Sequence, residues 1–452
     1  MSNAYLFALT DGGGTVAPEL GVARRLVDRG HRVTVLAEDS MGPAAAAAGA
    51  TFRPWRHGLN RPDHRPENAP YPEWELRSPP TQVREMINHL IVRPASGYAR
   101  DVTDAIRANR PDLVAVSFFA FGAMIAAEAE NVPFDVLMPN IYPLPAPGLP
   151  PFGPGLRPAQ GPPGRLRDRL IASMSQRMWD GSALSGLNAV RTAYGLAPVV
   201  HYQDQVHRAR RELVMTSPEF DFPARLPANV RYVGPVLDDP VWADSPWQPP
   251  VGVAGPVASL VLVSMSSTFQ NQVDCLQRVT DALGSLSLRG LVTTGPVIDP
   301  GRLTPPPGVT VVPAAPHGAV LRHASLVVTH GGHGTLVKAF AAGVPVVVLA
   351  HGRDQADNAA RVVQHGAGLS VSRTAKPAKI AETVRRVLGD PAYQRSAARL
   401  GAVLRRDAAS GRLMAELENI RPDQPSGQRA TQTVDENLAH GLNHDQAVTT
   451  RP

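Results

Sequence analysis

Short apolar runs alternate with amphipathic stretches along most of this chain, and the alternation predicts an α/β protein. Tyr5 to Leu9 reads as a strand, Ala17 to Arg29 as a helix and Arg32 to Leu36 as a second strand, a βαβ unit. Two proline- and glycine-rich stretches interrupt the pattern, Pro54 to Pro80 and Pro139 to Pro163, where neither regular helix nor central strand can run. Loops of such length either serve as lids or binding walls, where Leu149, Phe152 and Leu156 would suit an apolar guest, or are disordered surface excursions. A first domain is expected over 1–236, ending near Arg231 to Pro235, and a proline-rich connection over 237–257. Alternation resumes over 258–420, with strands at Ser259 to Val263 and Val346 to Leu349 and helices at Pro377 to Leu388 and Pro391 to Leu417. Residues 421–452 carry almost no core-forming side chains and are expected to be disordered.

Composition narrows the function classes. A chain of 452 residues can bury two cores. The net charge of +6 is spread among arginines rather than gathered in a run, and aromatics are 5% of residues, so no nucleic-acid partner is expected. No apolar run approaches a bilayer span, and the amino terminus lacks the basic start and length of a signal peptide, so the expectation is a cytoplasmic protein without a membrane partner. The single Cys275 fits a reducing compartment.

The chemistry concentrates in Thr329-His-Gly-Gly-His-Gly-Thr335, between an apolar run and a helix that Thr335 is expected to open. Gly331, Gly332 and Gly334 let the backbone turn its amides toward an anion, and the helix start adds free N–H groups and a positive dipole end. His330, His333 and Thr335 supply further donors, and a diphosphate is the guest they suit. No third ligand at zinc spacing accompanies the two histidines, so no metal is expected. Asp354 and Gln355 follow the next apolar run and fall on the same rim, where a carboxylate beside an amide can grip sugar hydroxyls. A rival site lies at Gly12-Gly-Gly-Thr-Val-Ala17 with Glu38 closing the second strand, a pattern compatible with an NAD-dependent enzyme or a nucleotide-sugar epimerase. Such an enzyme would not require the second loop at 330–335.

From Thr329 through Gly343-Val-Pro345 to Asp354-Gln355 and Asn358-Ala-Ala-Arg361, the chain resembles the donor-sugar signature of family 1, UDP-glycosyltransferase-like bacterial natural-product glycosyltransferases. The resemblance implies a GT-B fold: two Rossmann-like domains facing across a cleft, the second holding a UDP- or dTDP-sugar and the first a hydrophobic small-molecule acceptor, with the last helix crossing back. It implies that His330, Gly332, His333, Gly334 and Thr335 contact the diphosphate and that Asp354 and Gln355 hold the sugar. Ser264-Met-Ser-Ser267-Thr268-Phe269 resembles the family's loop beside the nucleotide, with Ser266 in place of the usual glycine. Neither a cofactor nor a metal is implied, and a monomer or homodimer is expected.

Two departures bear on chemistry. Family members carry histidine or aspartate after the first glycine loop, where this chain has Thr15, and Ser117-Phe-Phe119 stands where a partner acid is usual. Threonine neither holds nor releases a proton near neutrality. The candidates for catalytic base are therefore Asp11, which is also a common turn residue before glycines, and His89 on a helical segment. Lys338 replaces a glutamate that would accept from ribose, which leaves UDP and dTDP both open. The expected activity is inverting transfer of a hexose to a hydroxyl of a polyketide, macrolide or ansamycin antibiotic. The stretch Pro145 to Gly155 resembles rifamycin-type enzymes, and a base-less auxiliary protein of the same fold is the nonenzymatic alternative.

Overall fold

A computed structural model describes residues 2–76, 78–243, 247–248 and 259–420. The expected connection at 237–257 lies largely outside these residues, and the tail expected at 421–452 lies wholly outside them.

Thirteen strands form two parallel sheets among the described residues. The first contains β1 (Ala4–Ala8), β2 (Arg32–Ala37), β3 (Thr51–Pro54), β4 (Leu113–Ser117), β5 (Phe134–Met138), β6 (Arg211–Val214) and β7 (Val230–Tyr232), ordered β3-β2-β1-β4-β5-β6-β7. The second contains β8 (Leu260–Ser264), β9 (Arg289–Thr293), β10 (Val309–Val312), β11 (Ala324–Thr329), β12 (Val346–Val348) and β13 (Gly368–Ser370), ordered β10-β9-β8-β11-β12-β13. The central strands β4, β5, β8 and β12 are buried at every position, as helices covering both faces of a parallel sheet require. Each sheet thus carries two apolar clusters, one per face.

This order creates a switch point in each sheet, between β1 and β4 in the first and between β8 and β11 in the second. Loops leaving the carboxyl ends of such neighbours diverge and open a crevice. The glycine loop after β1, the Ser266–Phe269 loop after β8 and the 330–335 loop after β11 all fall there. The two crevices face one another: a Cβ built on Gly13 would lie 2.7 Å from the Thr268 methyl and 2.9 Å from the Ser267 hydroxyl.

Three elements depart from expectation. The helix expected to open at Thr335 begins at His333 and runs to Ala341, because Gly332 already takes the extended N-cap conformation. The long helix expected from Pro391 to Leu417 is two, Pro391–Ala408 and Arg412–Glu418, divided where Gly411 adopts a φ of 71°. The second piece returns to the first domain, where Leu413, Met414 and Leu417 join the core behind β1. The Pro139 to Pro163 stretch ends in a helix of 33 residues, Gly161–Ala193, that runs along the cleft.

Candidate active site

A cleft of about 1530 Å³ separates the domains, and His330, Gly332, His333, Gly334 and Thr335 of the donor loop line it, while Gly331 does not. Gly331 takes a φ of 96°, and its N–H donates to Thr329 Oγ1 while its carbonyl accepts from Asn358 Nδ2 at 3.0 Å. The helix His333–Ala341 starts at the cleft, and its first two amides, of His333 and Gly334, have no acceptor among the described residues, whereas the Thr335 N–H donates to the Gly332 carbonyl at 3.1 Å. At Gly334 a Cβ would meet nothing nearer than the Gly14 carbonyl oxygen at 3.9 Å, so the nest stands open toward the first domain.

The histidines around it are neutral. Burial pushes His330 down to about 3 and His333 down to about 4, and the same cause holds His351 and His317 at about 4. The His330 ring packs against Gly332, where a Cβ would come within 2.6 Å of Nε2. Nε2 of His333 and Nε2 of His351 are buried without a partner among the described residues. The single N–H of His351 is on Nδ1, donating to the Leu349 carbonyl at 2.8 Å, so its Nε2 is an acceptor; the neutral His333 ring can place its own N–H on Nε2 and, with the backbone amides, offer donors to an anion.

On the rim, Asp354 stands at the N-cap position of the helix Gln355–Gln364 without a side-chain bond to its backbone, and accepts from Asn358 Nδ2 at 2.6 Å. Burial pushes its carboxyl up, against the opposing donation from Asn140 and Asn358. Gln355 is placed differently from expectation. Its Oε1 accepts from the His351 and Gly352 amides, and its Nε2 donates to Gln270 at 3.0 Å. Asp354 is therefore the freer of the pair for a sugar hydroxyl. Ser267 and Thr268 do stand at the cleft, and the hydroxyl of Ser266 organises their turn by accepting the Thr268 N–H at 3.2 Å. Lys338 is held by Asp239, Nζ to Oδ1 at 2.8 Å, so it is neither a free phosphate ligand nor an idle surface residue.

Across the cleft the two candidate bases part company. His89 sits on a π-helical segment, bonded to Arg93 and Glu85 and facing Tyr71, and it does not line the cleft. The structure thus does not join His89 to the donor loop. Asp11 lines the cleft, 6% exposed, with Oδ1 accepting the Gly13 N–H at 2.9 Å and Oδ2 accepting the Ser40 hydroxyl at 2.6 Å. Behind Thr15, one helical turn on, the Glu19 carboxyl accepts from Ser117 Oγ at 2.7 Å, and burial pushes it up to about 8. The rival dinucleotide reading of this loop finds little room, since Ser267 and Thr268 press on Gly13.

Sequence reasoning missed His64, whose Nε2 lies 3.2 Å from Asp11 Oδ2. It comes from the proline-rich stretch 54–80, and Arg61 anchors that stretch by donating to Glu38 and to the Asp11 carbonyl. The only signal available was that a segment read as a cleft wall also held two histidines, His57 and His64.

The profile of the erythromycin biosynthesis protein CIII-like C-terminal domain matches residues 281–439. The 4'-demethylrebeccamycin synthase of Lentzea aerocolonigenes is 28% identical over 415 residues, covering 88% of this chain and 95% of its own. The demethyllactenocin mycarosyltransferase of Streptomyces fradiae is 26% identical, covering 88% of this chain and 82% of its own. Among solved structures, CalG4, the calicheamicin glycosyltransferase, superposes with a TM-score of 0.71 at 27% identity over 93% of this chain and 98% of its own. The architecture, the cleft and likeness over nearly the whole length agree: the chain is a glycosyltransferase of GT-B fold, similar to the family 1 natural-product glycosyltransferases.

Proposed function

We propose that this enzyme transfers a hexose, with inversion, from a UDP- or dTDP-sugar to a hydroxyl of a large hydrophobic natural product. The observation that carries the reading is the open amide nest at 330–335, set directly opposite the glycine loop of the first domain. The diphosphate would rest on the helix N-terminus, with the spare N–H of His333 and the Thr335 hydroxyl beside it. Asp354 would hold the sugar, after which a base on the first domain deprotonates the acceptor as it attacks the anomeric carbon. Neither a metal nor a further cofactor is needed in this scheme, because fixed donors stabilise the departing diphosphate.

The acceptor half of the cleft supports a bulky apolar guest. Pro145, Leu149, Phe152, Ile171, Met174 and Trp179 line it, from the proline-rich stretch and the helix that follows. Polyketides and macrolides fit this chemistry, and the resemblance of Pro145 to Gly155 to rifamycin-type enzymes adds an ansamycin to the class. The names of the relatives, which concern demethylrebeccamycin, demethyllactenocin and calicheamicin, point the same way. We place the enzyme in the cytoplasm, in keeping with its free, buried Cys275; among the described residues no helix is long and apolar enough to cross a membrane.

Mass spectrometry of an aglycone panel incubated with UDP-glucose and, separately, dTDP-glucose tests the proposal. A gain of one hexose on a macrolide, an ansamycin or an aromatic polyketide is expected. Nucleotide binding without transfer to any member would instead favour the auxiliary-protein reading.

A further inference from the structure

We propose that His64, oriented by Asp11, is the base that takes the acceptor's proton, a displaced histidine–carboxylate pair that stands in for the one missing at Thr15 and Ser117. The inference rests on the transfer reading above and names the residue that reading leaves open.

The geometry assigns different roles to the two side chains. Asp11 receives the Gly13 N–H on Oδ1 and the Ser40 hydroxyl on Oδ2, and Oδ2 also faces His64 Nε2 at 3.2 Å. A carboxylate so occupied has little left for a substrate. Its remaining capacity is to accept the His64 Nε2–H, which fixes the tautomer and leaves Nδ1 as the lone-pair nitrogen. That Nδ1 is buried and has no partner among the described residues, while the side chain as a whole, 20% exposed, lines the cleft, so contact with an acceptor requires the ring or its loop to shift as substrate binds. An imidazole with one nitrogen anchored and the other unclaimed, beside the loop that faces the donor nest, has the arrangement a general base requires.

The surrounding charges hold the pair in place. Arg61 bridges Glu38 and the Asp11 carbonyl, and its own carbonyl accepts the Ser40 N–H at 3.0 Å. The titratable and charged groups around the His64–Asp11 pair are Glu38 from the end of β2 and Glu19 from the helix between β1 and β2, both beside Asp11, and Arg61, Asp63 and Arg65 from the histidine's own loop. Glu19 is a poor rival for the role, because a carboxyl raised to about 8 keeps its proton at neutral pH and its Oε1 is taken by Ser117. His57 with Asp101 is a second histidine–carboxylate pair, but Asp101 is spent on the amides of residues 56–58 and neither residue lines the cleft.

In the step itself the acceptor oxygen forms its bond to the anomeric carbon while its proton passes to His64 Nδ1. The bond from that carbon to the diphosphate oxygen breaks with its electron pair, and the nucleoside diphosphate leaves as an anion held by the 330–335 nest. Asp11 is the positioning residue that stabilises the imidazolium.

The test compares wild type, His64→Ala, His64→Gln and Asp11→Asn on two acceptors: a chloronitrophenol, already ionised at neutral pH, and an un-ionised hydroxyl acceptor from the aglycone panel. The His64 variants should lose about 10²- to 10⁴-fold in kcat on the un-ionised hydroxyl. They should keep most of their rate on the phenolate and bind UDP or dTDP as wild type does in calorimetry. Asp11→Asn should show the same acceptor selectivity. Equal losses on both acceptors, with or without a lowered melting temperature, would assign His64 a structural role and overturn the proposal. Wild-type rates in the His64 variants would overturn it too. Failure of wild type to glycosylate either acceptor would instead remove the transfer reading and this inference with it.

Discussion

At the scale of single residues, Gly334 separates binding from stability. A Cβ there has 3.9 Å to its nearest neighbour, so a larger side chain strains nothing in the fold but projects into the space an anion would fill. Gly334→Val is expected to leave the melting temperature within about a degree or two. Affinity for UDP or dTDP in calorimetry should fall at least tenfold, and undiminished binding would move the diphosphate elsewhere. Glu19 carries a stability signature of its own. Its carboxyl rises from 4.5 to about 8, mainly through burial, so folding takes up a proton in this window. The stabilisation is complete below 4.5 and is lost as the pH climbs through about 8. Glu19→Gln mimics the protonated form and has no such loss. In urea unfolding the variant should gain on wild type by about a few kcal/mol between acid and alkaline conditions, following the linkage of pKa to stability. A gap that does not change with pH would mean that Glu19 is ionised in the folded enzyme.

Among the elements, the donor helix His333–Ala341 is aimed by what packs behind it. The helix Pro391–Ala408 approaches so closely that a Cβ on Gly401 would lie 1.8 Å from the Phe340 carbonyl oxygen. Gly401→Ala must push the two helices apart, and overpacking of this kind costs about 1–3 kcal/mol. The displaced helix is the one whose first amides form the nest, so the nucleotide affinity should weaken together with the melting temperature. A stability loss with unchanged affinity would show that the loop alone sets the nest. The elements themselves were largely legible in the sequence. Tyr5 to Leu9 and Arg32 to Leu36 lie within a residue of β1 and β2, because unbroken apolar runs are what a strand covered on both faces requires. The donor loop was legible because glycines mark backbone that must turn or approach a ligand. The helix Gly161–Ala193 was not, for it starts with two glycines and two prolines and has little periodic contrast. His64 was hidden for another reason: its meaning comes from a long-range contact with Asp11 that no local pattern encodes.

For the molecule as a whole, the two domains are tied differently at the two ends of the cleft. At the hinge side, Arg361 donates through Nε and Nη2 to Asp221 Oδ1 at 2.9 and 2.6 Å, while Asp221 Oδ2 accepts the Tyr142 N–H and the Tyr232 hydroxyl. The guanidinium lies 4.1 Å over the Phe222 ring, and the neighbouring Phe220 ring sits 5.8 Å from that of His333. At the mouth, Arg353 pairs with Glu73 where both remain partly exposed, and Trp74 meets Phe269 edge-on at 4.9 Å. Burial decides which tie carries stability. Arg361→Met strands the Asp221 carboxylate, whose side chain is 0% exposed, and loss of one partner from such a pair costs about 3–5 kcal/mol. Its melting temperature should drop by several degrees, and nucleotide binding should weaken through Phe220 and His333. Glu73→Gln breaks a partly solvated pair that is screened by water and salt, so its melting temperature should stay near that of wild type. Because Glu73 and Trp74 stand at the mouth, this variant should instead change the KM for the acceptor and widen the ligand-free particle in X-ray scattering. If Glu73→Gln destabilised as much as Arg361→Met, the two ends would be equivalent, and the picture of a rigid hinge with a loosely strapped mouth would be wrong.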